Sequence, residues 1–189
     1  MGSVRRWVDS SQEAAKRIQQ LISQMLTLAD VERPGTVLSM QPVDLAAIAT
    51  KAALEMESIA YEKCVTLETA LPAACILRGN PDYLQRIVSS LLENALKYEP
   101  AGGWVQLTLT QDKRKAWLSV QNFGSAIPAE DLPHVFDRFY RSDKSRKSES
   151  GSFGLGLAIT KKMVERLGGE ISVSSSAEDG TVFQVVLCR

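Results

Sequence analysis

The sequence predicts an α+β fold, a two-layer α/β sandwich preceded by a long N-terminal helix. Three observations predict it. Apolar residues recur with helical spacing in four segments, and they alternate with period two in shorter paired segments. Gly and Pro clusters separate the two kinds of segment. Helices interleaved with mostly antiparallel strands bury their apolar faces best as one layer packed on another.

The first helix is predicted from about Val4 to Val31, where Ile18, Leu21, Ile22, Met25 and Leu28 form an apolar stripe between polar residues. Glu32-Arg33-Pro34-Gly35 stops it, because Pro cannot continue a helix and Gly tolerates a turn. Such a helix must bury its stripe by self-association into a bundle or by folding back onto the rest of the chain. After a linker over 34–41, Asp44 is a plausible N-cap for a helix carrying Leu45, Ile48, Ala49, Ala52, Met56 and Ile59. Short strands are expected near Val65–Thr69 and Cys75–Leu77. A helix then starts at Pro81, a residue suited to a first turn, and runs to about Tyr98. Val105–Gln111 and Ala116–Gln121 form paired strands, and a polar stretch with little periodicity covers about 125–152. A last helix over Leu155–Leu167 ends at Gly168-Gly169, and a hairpin of Ile171–Ser175 with Thr181–Leu187 closes the fold.

Bulk properties narrow the function. Lys+Arg and Asp+Glu are both 22, so no global charge recruits nucleic acid or an anionic membrane, and any phosphate site must be local. No apolar run approaches the roughly 18–20 residues of a membrane span, and the first residues do not read as a signal peptide. Cys64, Cys75 and Cys188 have no CxxC or zinc spacing and read as reduced thiols in strands.

The chemistry concentrates in two places. On the 81–98 helix, Leu84, Ile87, Val88, Leu91, Leu92, Ala95 and Leu96 share an apolar face. Ser90, Asn94, Lys97 and Tyr98 fall on an adjoining polar stripe. An amide oxygen suits Mg²⁺ and a neighbouring ammonium suits phosphate, although Asn and Lys on a helix are more often a solvated face. Two Gly-bearing turns follow. Phe123-Gly124-Ser125-Ala126-Ile127-Pro128 leaves a strand, and Gly151-Ser152-Phe153-Gly154-Leu155-Gly156-Leu157 opens a helix, whose positive end favours phosphate. The spacing is neither a Walker A loop nor a Rossmann fingerprint.

Together and in this order, these motifs resemble the ATPase domain of the sensor histidine kinases of bacterial two-component systems, over nearly the whole chain. Leu91-Leu92-Glu93-Asn94-Ala95-Leu96-Lys97-Tyr98 looks like the family's N box, and Val120 to Pro128 its G1 box. Phe136-Asp137-Arg138-Phe139-Tyr140-Arg141 is similar to the F box, and Gly154-Leu155-Gly156-Leu157 to the G2 box. The resemblance implies the Bergerat ATP-binding fold over 42–189, with a partial dimerisation and phosphotransfer helix over 1–33. It further implies ATP and Mg²⁺ as ligands, with Asn94 on the metal and Lys97 on phosphate. Tyr98, Asn122, Gly124, Ala126, Ile127, Phe136, Arg141, Gly151, Gly154, Leu155, Gly156 and Leu157 would line the nucleotide. Asn122 stands at the adenine-reading position, and Gly154 and Gly156 at the lid hinge. Arg138 or Arg141 could reach the γ-phosphate or a partner hairpin. Implied partners are a second copy, joined through the N-terminal helix, and a response regulator. Nucleic acid is not expected, nor is membrane contact by this chain. The implied location is the cytoplasm, on a parent that can itself sit in the cell membrane.

The match also departs from the family. Asn122 replaces the G1 aspartate, keeping an acceptor but losing its charge, which predicts weaker ATP binding. Ala126 replaces the second G1 glycine, and Ser90 replaces an Asn one turn before Asn94. The single histidine, His134, lacks the setting of a phosphoacceptor, so phosphorylation of another hairpin is expected and autophosphorylation is not. Two rivals remain. An ATP-hydrolysing relative of the gyrase, mismatch-repair or chaperone type would need a Glu where Ser90 stands. A pseudokinase acting as a dimerising module would need no Asn94, Lys97, Gly154 or Gly156.

Overall fold

The computed structural model describes residues 2–35, 37–141 and 153–189. Helix α1 spans Gly2–Glu32; β1 Gln41–Asp44 and α2 Leu45–Glu62 follow. Next come β2 Thr66–Ala70, β3 Ile76–Gly79 and α3 Pro81–Tyr98. Strands β4 Trp104–Gln111 and β5 Lys115–Asn122 lead to a short 3-10 turn at Leu132–His134. Helix α4 Gly156–Arg166 precedes β6 Glu170–Ser176 and β7 Gly180–Cys188. Five strands form one sheet in the order β2-β4-β5-β7-β6, with only β2 and β4 parallel.

Alternation within the strands explains the layering. Val105, Leu107 and Leu109 of β4, Ala116, Leu118 and Val120 of β5, and Phe183, Val185 and Leu187 of β7 are buried on one face. Leu84, Ile87, Val88, Leu91, Leu92, Ala95 and Leu96 of α3 are buried in the same core. The predicted two-layer sandwich is therefore the observed one.

Asp44 caps α2 as its position predicts. Its carboxylate accepts from Ala46 N at 3.0 Å, and also from Cys75 N at 2.9 Å, tying the helix start to the approach to β3. Strand β1 was not anticipated. Pro42 interrupts the alternation that marks a strand, and only pairing with β3 makes 41–44 extended. Of the cysteines, only Cys188 lies in a strand; Cys64 is in the turn after α2 with φ 53°, and Cys75 is buried just before β3.

Helix α1 divides its apolar residues between two uses. Leu28 and Val31 are buried against the domain, Arg166 donates to the Val31 carbonyl at 2.7 Å, and Glu32 pairs with Arg138. Ile18, Ile22 and Met25 remain at least half exposed. Folding back thus accounts for the end of the stripe and leaves its middle uncovered. Leu28→Ala is expected to destabilise the protein by roughly 2 kcal/mol, the lower end for such a truncation because Leu28 borders solvent. Thermal denaturation checks this. No helix among the described residues is long and apolar enough to cross a membrane.

Candidate nucleotide site

Three elements converge at the polar stripe of α3. The first is the turn after β5. Asn122, the last residue of that strand, is 3% exposed, and Gly124 lies against the end of α3. A Cβ on Gly124 would stand 2.1 Å from the Tyr98 carbonyl oxygen, so no other residue permits this approach. The second is the start of α4. Gly156 lies beside Ser90, and the buried Thr160 hydroxyl is 2.9 Å from both Ser90 Oγ and the Gly156 carbonyl. The third is the segment ending at Arg141. Phe139 N donates to the Gly154 carbonyl at 2.9 Å, so the F-box and G2-box backbones run against each other.

Positive charge gathers beside the stripe. Lys97 is half-buried on α3, and loss of hydration holds its ammonium below the ordinary lysine range. The neighbouring positive charges of Arg141 and Lys63 depress it further. A phosphate would relieve that repulsion and restore the proton. As pH rises toward the ordinary lysine range, the free ammonium gives up its proton before the liganded one does. ATP binding is therefore expected to take up protons through Lys97 as pH approaches the ordinary lysine range. Calorimetry in buffers of different ionisation enthalpy measures the uptake, and Lys97→Met should abolish it.

The other anticipated residues distribute as follows. Tyr98 is 42% exposed, with the Lys97 ammonium 5.0 Å from its ring centre. Ile127 is half-buried, with its N–H on Ser175 Oγ at 2.9 Å, while Ala126 is exposed. Phe136 packs edge-on to Phe183, with ring centres 6.2 Å apart. Leu155 is fully buried, so only its backbone can face a phosphate; Gly156 and Leu157 are half-buried. Gly151 lies outside the described residues. Arg138 turns to Glu32 of α1 and not to the stripe. His134 pairs with Asp137 at 2.8 Å in an exposed turn.

Three contacts escaped the sequence reading. Thr181, register partner of Asn122, holds its hydroxyl 2.7 Å from Ser175 Oγ beneath the turn after β5. Thr160 joins the N-box and G2-box helices. Glu99, 7% exposed, accepts from Phe123 N at 2.6 Å. A cavity of about 550 Å³ between residues 31–35 and Lys162, Glu165 and Arg166 lies apart from the stripe. The charged groups around it already have partners, including Lys162 with Glu165 and Glu32 with Arg138.

A family model described as histidine kinase-, DNA gyrase B- and HSP90-like ATPase matches residues 79–189. The chain belongs to this family. Within it, the chain is the ATP-binding catalytic domain of a sensor histidine kinase. It is 34% identical to the sensor histidine kinase CusS of Escherichia coli O157:H7, across 94% of this chain and 36% of CusS. The kinase domain also matches the solved structure of the mycobacterial sensor histidine kinase MprB. That match has 29% identity and a TM-score of 0.68, over 79% of this chain and 97% of that one. Full-length ShkA, solved in complex with AMPPNP, shares the fold at a TM-score of 0.81 and 24% identity, over 97% of this chain and 38% of its own. The kinase domain spans little more than a third of the length of the first curated relatives it matches.

Proposed function

We propose that the domain binds MgATP between α3, the turn after β5 and the start of α4, and passes the γ-phosphoryl group to a histidine on another helix. The observation that carries this reading is the convergence of motifs far apart in sequence. Gly124 lies on the Tyr98 carbonyl, Gly156 lies beside Ser90, and Lys97 feels Arg141.

The residues suit the ligand. Among the described residues no group of three or more His, Cys, Asp or Glu could hold a metal ion. Magnesium would then rely on the Asn94 amide oxygen together with phosphate and water, which matches its reluctance to dehydrate. Bound MgATP supplies the transferable phosphoryl group. Lys97 and the first amides of α4 neutralise and orient the phosphates, and Asn122 with Gly124 receives the adenine. Because the protein does little covalent chemistry in such a transfer, positioning and charge account for most of its role.

Ser90 favours transfer over hydrolysis. A hydroxyl cannot serve as the base that activates water, and this one is engaged by Thr160. The exposed Ile18, Ile22 and Met25, at i, i+4 and i+7 on α1, suit a homodimeric helical bundle. A response regulator would take the phosphoryl group onward, with the whole reaction in the cytoplasm.

Incubation with γ-labelled MgATP tests the reaction, alone and with a separate helical hairpin carrying a histidine followed by Glu-Leu-Arg. Acid-labile label on the hairpin, with negligible release of phosphate by the domain alone, is expected. Rapid phosphate release without a hairpin would place the chain among the hydrolases.

A further inference from the structure

We propose that Glu99 is the positioning residue for the base end of the nucleotide site; this rests on the MgATP reading above. Glu99 follows the last residue of α3, and its own N–H still closes the helix on the Ala95 carbonyl at 3.0 Å. Its side chain leaves the helix and turns inward, where its Oε2 accepts from Phe123 N at 2.6 Å. That N–H lies between Asn122 and Gly124, the two residues that would receive the adenine. The other carboxylate oxygen occupies space that only a glycine at 103 leaves open, since a Cβ there would stand 1.9 Å from it. The ring of Phe123 is meanwhile fixed against Trp104, with centres 4.4 Å apart.

Physical chemistry explains why this bond matters for the base and not for the phosphates. A carboxylate that accepts from a backbone N–H makes a charge-assisted bond, shorter and stronger than a neutral one. At 7% exposure it has little competition from water. It therefore fixes the turn after β5 relative to α3, and with it Asn122 and Gly124. The start of α4, on the phosphate side, is placed by other contacts, since Gly156 is set by Ser90 and Thr160. Removing Glu99 should loosen one end of the site only.

The test compares MgATP with magnesium tripolyphosphate, which has the phosphates without the base. Both are titrated calorimetrically into the wild type, Glu99→Ala and Glu99→Gln, and thermal melting verifies that each variant is folded. Glu99→Ala is expected to lose about ten-fold in ATP affinity with tripolyphosphate affinity unchanged. Glu99→Gln retains a carbonyl acceptor and should keep most of the affinity. Amide exchange at Phe123, measured by NMR without ligand, should accelerate in Glu99→Ala and reads the contact independently of any nucleotide. An equal fall for both ligands, or unchanged exchange at Phe123, would overturn the proposal. Wild type that binds neither ligand would instead overturn the MgATP reading, and this inference with it.

Discussion

Asn94→Ala is expected to lower MgATP affinity by roughly a hundred-fold while leaving affinity for metal-free ATP nearly unchanged. Asn94 is half-buried on the polar stripe of α3, outside the apolar face that holds the helix in the core. Alanine is the strongest helix former, so the substitution leaves α3 intact or slightly firmer. The loss therefore reads as a lost metal ligand and not as a damaged fold. Calorimetric titration with magnesium and with chelator separates the two affinities. Equal losses under both conditions would assign Asn94 to the nucleotide itself.

The second large effect is expected at Gly154. Its φ is 71°, in the left-handed region, and a Cβ would stand 2.6 Å from the Tyr140 carbonyl oxygen and 2.8 Å from the Phe139 carbonyl carbon. Both contacts are backbone and cannot swing aside. Phe139 is itself held at φ 62°, with its N–H on the Gly154 carbonyl. Gly154→Ala must separate the F-box strand of chain from the G2 turn and displace the first turn of α4. A fall in ATP affinity of about ten-fold or more is expected, with a destabilisation of roughly 1–3 kcal/mol. Gly168→Ala is the control. Gly168 has φ 74° but nothing within 4 Å of a Cβ, so backbone strain should destabilise without changing ATP affinity. If the two variants bind ATP alike, the close approach at Gly154 has no bearing on the site.

Much of this arrangement was legible in the sequence because local rules govern it. The apolar face of α3 repeats with helical period and is the face the core buries. Asp44 stood where an N-cap belongs, and its carboxylate caps α2. Gly124 and Gly156 stood in turns, and both turns meet α3.

Other features were not legible, since each depends on a partner distant in sequence. Strand β1 exists through its pairing with β3. Glu99 is a charged residue at a helix end, and its burial follows from Phe123 N, 24 positions away. Thr160 and Ser90 are 70 positions apart and gave no joint signal. The stripe on α1 allowed either bundling or folding back. The burial of Leu28 and Val31 and the placement of Arg166 and Arg138 show that the helix end lies on the domain.

The central claim is that the N-box helix, the turn after β5 and the G2 turn form one MgATP site. Titration of the wild-type chain with MgATP, and with ATP in chelator, tests it most directly. Saturable binding that weakens when magnesium is removed is predicted. No binding at millimolar MgATP, in protein shown by its melting transition to be folded, would contradict the account and leave a dimerising module.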